Sequence, residues 1–322
     1  VAVAVGLGLG VAAGAAVLLA GSLQELLGGV AFVALLGGAA FLAHSGRSVL
    51  IEAPRRVEPA ATAEEAGARE GTGGAETAEQ PEEPEQAPPP PEPESLVDLV
   101  DIGAGSFLMG SPEGEPGRRP AEGPQHEVSV AGFRLMRTLV TRRLYREIMG
   151  RDPGWPEGEA DERPVNNVSW FDAVAFCNAL SEREGIASAY ERDGDRVTPI
   201  PGAEGYRLTT EAEWEYACRA GTRSRWSFGD DEGALGDHAW YGGNSGGKPQ
   251  PVATRAPNPW GLYDMHGNLW EWVEDCWHDD YDGAPSDGSA WLEGDCQLRV
   301  VRGGSFRVGP WFMRSAGRFR AG

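Results

Sequence analysis

All 11 tryptophans and all four cysteines of this 322-residue chain lie beyond residue 150, whereas residues 1–43 hold a single ionisable side chain, Glu25. A folded core needs large apolar side chains set beside polar ones that can face water, and only the last two thirds of the chain offers that mixture. The sequence therefore divides into three regions, which the average composition of 41% hydrophobic and 24% charged residues conceals.

Residues 1–43 read as membrane-like. Val1 to Ala20 is an unbroken run of Val, Ala, Gly and Leu, and Leu26 to Ala43 is a second, separated by Gly21-Ser22-Leu23-Gln24-Glu25. About 20 apolar residues span a bilayer core as a helix, so the lengths predict two transmembrane helices joined by a tight turn. A signal peptide fits less well, having a basic start and one short apolar core. A Gly8-Leu9-Gly10 dinucleotide loop lacks the strand and helix alternation it needs. Gly10 to Gly14 has GxxxG spacing, weak in so Gly-rich a run. The chain begins with Val, so its start is expected upstream.

Residues 44–95 are expected to stay unfolded. Glu52 to Glu94 contains 12 Glu against three Arg, a balance of -9, and Pro81 to Pro93 includes seven Pro. Such a segment buries too little apolar surface to offset chain entropy and serves as an extended spacer. Arg47, Arg55 and Arg56 follow the second run, which by the positive-inside rule puts an integral membrane protein's globular part in the cytoplasm.

Residues 96–322 carry the globular domain, long enough for one large core, with irregular α+β character from its many short Gly-punctuated segments. Ser169 with Asp172 and Thr210 with Glu213 have capping-box spacing, and each starts an amphipathic helix. Ala173, Phe176, Cys177 and Leu180 share a face of the first; Trp214, Ala217 and Cys218 share a face of the second. A third helix is expected over 141–149, and strands over 98–102, 128–133 and 299–301. The 49 acidic and 28 basic side chains give a net charge of -21, which excludes nucleic acid as a partner, since Lys and Arg must replace phosphate counterions.

The chemistry-bearing residues are sparse. The five histidines (His44, His126, His238, His266, His278) have no paired metal-ligand spacing, so each reads as a surface or hydrogen-bonded residue. Cys276 and Cys296 flank a polar loop, and a bond between them would close about 20 residues for about 3 kcal/mol. They are expected to pair. Asp279, Asp280 and Asp282 read as a solvated loop.

Five segments then carry a resemblance: Phe107 to Ser111 (FLMGS), Pro164 to Ala173 (PVNNVSWFDA), Tyr206 to Gly221 (YRLTTEAEWEYACRAG), Asn258 to Trp272 (NPWGLYDMHGNLWEW) and Arg299 to Phe306 (RVVRGGSF). In order and spacing they resemble the formylglycine-generating enzyme, or sulfatase-modifying factor, family from about residue 98 to the end. The resemblance implies an α+β, C-type-lectin-like fold. It also implies a copper(I) oxidase in which two Cys shortly after the GGS motif hold the metal. Here Arg307 to Met313 contains no Cys; Met313 alone is a poor copper ligand, and Ser305, which matches a family active-site Ser, is left to serve the turn. A sulfoxide-synthase branch of the family uses iron held by His residues that this chain lacks. A metal-dependent oxidoreductase remains the alternative activity. Asn268 and Glu271 match a family calcium site built from hard oxygen donors. Cys177 and Cys218 match cysteines that, in disulfide-bonded relatives, pair near the C-terminus; Ser315 stands where one partner would be. The family continues past Gly322 with a Pro and a closing strand, so this end too is expected to extend.

The same resemblance supplies a different function. Related lectin-fold domains display variable binding loops, including variable proteins of diversity-generating retroelements, whose GGS-containing final segment is diversified. Arg307 to Met313, Gly317 and Phe319 to Gly322 interrupt the pattern RGGSF, Arg314-Ser315-Ala316, Arg318 where such diversification falls. The expected function is non-catalytic binding of a protein or glycan by Phe306, Arg307, Val308, Trp311, Phe312, Met313, Phe319 and Arg320, aromatic and Arg types that dominate binding hot spots.

Overall fold

Three helices start where the capping chemistry of the sequence places them. α1 (Arg142–Met149) is capped by Thr141, whose Oγ1 accepts the Leu144 N–H at 3.2 Å, and stops at Gly150, whose φ of 68° is the left-handed conformation that glycine adopts without strain. α2 (Trp170–Arg183) and α3 (Glu211–Arg219) both open with complete capping boxes, Ser169 with Asp172 and Thr210 with Glu213. The apolar faces read from the sequence are the buried ones: Ala173, Phe176, Cys177 and Leu180 on α2, Trp214, Ala217 and Cys218 on α3.

The computed structural model describes residues 95–155, 160–294 and 296–322, together with the backbone of residues 2–3 and 5–8. In chain order the strands are β1 (Ala2–Val3), β2 (Val5–Gly8), β3 (Leu99–Ile102), β4 (Gly105–Met109), β5 (His126–Val130), β6 (Phe133–Met136), β7 (Tyr190–Asp193), β8 (Arg196–Pro199), β9 (Tyr206–Leu208), β10 (Glu271–Cys276), β11 (Arg299–Arg302) and β12 (Arg318–Ala321). One sheet has the order β1-β10-β11-β12 and a second β3-β6-β2-β9, while β4-β5 and β7-β8 are two-stranded ribbons. The single strand expected over 128–133 is two, β5 and β6, interrupted at Ala131-Gly132.

The membrane reading is corrected here. Ala2–Val3 pairs in parallel with β10, and Val5–Gly8 lies between β6 and β9, antiparallel to both. Val1-Ala2-Val3-Ala4-Val5 and Gly6-Leu7-Gly8 alternate large with small residues, a period of two, and β-branched Val favours strands. Length and apolarity alone had pointed to a helix. No helix among the described residues is long and apolar enough to cross a membrane, so an integral membrane location, and the cytoplasmic placement that followed from it, is not supported. The second apolar run and the spacer over 44–94 lie outside the described residues.

Two apolar clusters form the core. One joins α1 and α2 to Tyr206, Leu208, Trp272 and Val301; the other joins α3 to β5, β6, Val273 and Val300. β10 separates them, and all six of its residues are buried. Indole N–H groups fasten α2 to this strand: Trp170 Nε1 donates to Val273 O at 2.9 Å, and Trp272 Nε1 to Val168 O at 3.1 Å. Cys276, at the end of β10, is disulfide-bonded to Cys296 as the sequence predicts, bracing the loop between β10 and β11.

Candidate functional site

The last part of the chain alternates between two kinds of residue. Arg302, Arg314 and Arg318 are fully buried, and a buried guanidinium is tolerated only when paired and hydrogen-bonded. Arg302 donates to Glu215 Oε2 at 2.5 Å and to the carbonyls of Ser315, Ala316 and Gly317. Arg318 forms a two-pronged pair with Glu211 at 2.8 and 2.7 Å. Arg314 does the same with Glu122 and adds Glu115 at 2.6 Å. Burial raises the pKa of Glu215, but Arg219 and Arg302 outweigh it and hold this carboxyl below its usual range. So α3 and the Pro120–Glu122 turn clamp the C-terminal segment from inside.

The turn between these anchors depends on two glycines. Gly303 and Gly304 have φ of 86° and 82°, and a Cβ on Gly304 would lie 2.4 Å from Met313 Cγ. Ser305 is buried and serves this turn: its carbonyl accepts the Val308 N–H at 3.2 Å.

Between the anchors the side chains emerge. Arg307 is exposed, its guanidinium 5.3 Å from the Trp155 ring. Trp311 is 63% exposed and rests on Gly117. Phe312 and Trp270 both pack on Phe319, at 5.1 and 4.9 Å between ring centroids, and Arg119 lies 4.0 Å above Phe319. Beside them Arg119, Trp277, Phe319 and Arg320 line a cleft of about 400 Å³. Val308 is half-buried, and its carbonyl accepts the Gly242 N–H. Two expected display residues are corrected: Phe306 packs with Leu139 and Leu269, and Met313 with Trp226 and Leu235, so both side chains face the interior. Each flanks a framework anchor, and burying it fixes the ends of the exposed stretch. Arg119, Trp155, Trp270 and Trp277 were missed, because only the fold brings them to this segment.

The residues do not fit the family's copper. The stretch after Gly304 offers one sulfur, the Met313 thioether, enclosed in an apolar cluster. The two free thiols lie elsewhere and are buried. Burial pushes the Cys218 thiol up to about 12 despite the adjacent Ser315 hydroxyl, which stands where the sequence placed a missing cysteine partner. His266 is also committed: its Nε2 accepts the Ser227 N–H at 3.1 Å, so Nδ1 carries the proton and donates to Met313 O at 2.7 Å. Burial lowers its pKa to about 4, the value of a neutral structural imidazole. His126 and His278 contact backbone carbonyls, His238 stacks on Phe228, and His44 lies outside the described residues. Asp279 and Asp280 are exposed, as expected of a solvated loop.

Asn268 and Glu271 have calcium-type oxygens. Asn268 Oδ1 accepts the Gln250 N–H, its Nδ2 donates to Asp264, and Glu271 Oε1 accepts the Trp214 indole N–H. Burial, opposed by the Trp214 hydrogen bond and reinforced by Asp264, raises the Glu271 pKa to about 8. Among the described residues no group of three His, Cys, Asp or Glu side chains is placed to hold a metal ion.

Comparison with known proteins places this geometry. The family model for the sulfatase-modifying factor enzyme 1-like domain matches residues 84–321. The chain is 33% identical over 182 residues to the chaperone protein LppX of Paenibacillus barcinonensis, covering 47% of this chain and 63% of that one, less than two thirds of its length. It is 32% identical over 225 residues to the formylglycine-generating enzyme of Mycobacterium tuberculosis, covering 55% of this chain and 73% of the enzyme. Among solved structures, Treponema denticola variable protein 1 superposes with a TM-score of 0.61 at 29% identity, covering 69% of this chain and 88% of that one.

Proposed function

We propose that this chain, which belongs to the sulfatase-modifying factor enzyme 1-like family, binds a protein or glycan ligand through Arg307, Val308, Trp311, Phe312, Phe319 and Arg320 rather than oxidising a cysteine. One observation carries the reading: Arg302, Arg314 and Arg318 are buried and paired, while the residues between and after them present aromatic and cationic groups to solvent. Aromatic anchors beside arginines give large contact area with few rotamers to freeze. The likeness to a variable protein supports the further reading that Arg307 to Met313 and Phe319 to Gly322 are diversified on a constant framework.

Two measurements test this. Sequencing the locus across many cells of the source population should show variation concentrated in those two stretches; an invariant tail would remove the diversified form. Probing glycan and peptide arrays with the wild type and a Trp311→Ala/Phe312→Ala double variant should show binding lost at unchanged melting temperature. Equal array profiles would remove the binding reading itself.

A structural calcium ion at Asn268 and Glu271 belongs to the same proposal. No Lys or Arg among the described residues forms an ion pair with Asp264 or Glu271, and buried acids without a cation suit a divalent ion. Calcium should raise the melting temperature of the wild type and leave Glu271→Gln unmoved.

A further inference from the structure

A cleft of about 660 Å³ opens between the start of α2, the β7-β8 ribbon, one face of β10 and β11 and the chain end at Ala321 and Gly322. Its walls include Trp170, Phe171, Val197 and Leu292, and Glu274 and Arg299 also line it. Eight acids of the described chain are buried: Glu122, Glu211, Glu213, Glu215, Asp264, Glu271, Glu274 and Asp275. Seven of them accept hydrogen bonds from arginines, an indole or backbone N–H groups. The carboxylate of Glu274, a residue only 5% exposed, accepts none among the described residues and forms no ion pair there. Its backbone, by contrast, is fully engaged, the N–H with Thr209 O and the carbonyl with Arg299.

Arg299 is the complementary case. Its guanidinium lies 3.8 Å from the Trp170 ring centroid and donates from Nη1 to Glu274 O at 2.8 Å and Cys276 Sγ at 3.3 Å. No carboxylate among the described residues comes within ion-pair distance of it, Glu274 included. Asp195 and Arg196 also line the cleft but are exposed at its rim, so Glu274 and Arg299 are the acid and base of its less exposed part, and they share it without pairing with each other. A simple cation would meet Glu274 but be repelled by Arg299, and a simple anion the reverse. A molecule carrying both an ammonium and a carboxylate satisfies each.

We infer that this cleft binds a small zwitterion, an α-amino acid or dipeptide with apolar side chains, its ammonium on Glu274, its carboxylate on Arg299 and its side chain against Trp170, Phe171, Val197 and Leu292. The test is isothermal titration of the full chain with L-leucine and L-leucyl-L-leucine, and with their N-acetyl and C-amide forms. At least one free zwitterion binds, and each blocked form binds about tenfold or more weakly, the effect of losing one charge-assisted hydrogen bond. Glu274→Gln, which keeps the shape of the side chain, weakens the zwitterion by a similar factor. No binding of either zwitterion at millimolar concentration, or equal binding of free and blocked forms, overturns the assignment. The ligand series on the wild type needs no variant to fold, and although Ala321 and Gly322 of the display tail border the cleft, none of Arg307, Val308, Trp311, Phe312, Phe319 or Arg320 lines it, so it stands or fails separately from the array test of the display reading.

Discussion

Within the C-terminal segment, Arg302, Arg314 and Arg318 on one side and Arg307 and Arg320 on the other are the same residue type in opposite use. The first set is buried against Glu215, Glu122 and Glu211; the second points outward, Arg307 over the Trp155 ring and Arg320 over Trp277 with an exposed 3.4 Å pair to Asp279. A guanidinium fixes backbone when a buried acid and several carbonyls surround it, and offers recognition when a ring and at most one exposed acid support it. The difference lies in what the distant α3 and Pro120–Glu122 supply, since the arginines themselves are chemically identical.

The contrast is broken most directly at the buried pairs. Glu215→Ala leaves Arg219 without its acid in the interior and Arg302 with only its longer 3.6 Å pair to Glu211, and should lose about 3–5 kcal/mol in urea unfolding. A loss below about 1 kcal/mol would mean that the anchors do not hold the segment. Next in size is the Cys276–Cys296 bond: replacing both cysteines by Ser should cost about 3 kcal/mol, read as a lower urea midpoint, because it frees the β10-β11 loop in the unfolded chain.

Glu274→Gln should act through pH. Burial, opposed by Arg207 and Arg299 and reinforced by Glu213, holds the folded-state pKa of Glu274 at about 7, above the ordinary 4.5. The folded chain keeps a proton that the unfolded chain has released, so this group's effect is absent below the unfolded value and destabilises increasingly as pH rises toward 7. The Gln variant should gain on the order of 2–3 kcal/mol relative to wild type between pH 4 and pH 8. Parallel stability curves would show that the carboxyl is not perturbed. The smallest effect belongs to Trp311→Ala, expected within about 0.5 kcal/mol of wild type by thermal melting, because the side chain leaves mostly solvent contact behind.

How much of this could be read beforehand depended on the distance over which residues act. Ser169 with Asp172 and Thr210 with Glu213 are three apart, so the helix starts were legible, as was the Cys276–Cys296 closure. Ser315 facing Cys218 followed from the family pattern. The pairing of Glu211 with Arg318 spans 107 residues and that of Glu122 with Arg314 spans 192, and nothing local in the sequence announces either. Phe306 and Met313 look like display residues because burial there is set by Leu139, Trp226 and Leu235. The opening Val-Ala alternation was legible in principle, but an apolar run long enough for a bilayer masked its period of two. The Glu274 cleft could not be read at all, being assembled from α2, β8, β10 and β11.

The paired glycines at 303 and 304 and the buried Met313 have a consequence for how such a loop could change over generations. Both ends of the exposed stretch are tied to the interior, so a new side chain at Arg307 or Trp311 alters contact chemistry without renegotiating the backbone that carries it. Substitutions there explore affinity at nearly constant foldability, and a newly acquired ligand meets a loop already held in place, with little further motion to be stilled on contact.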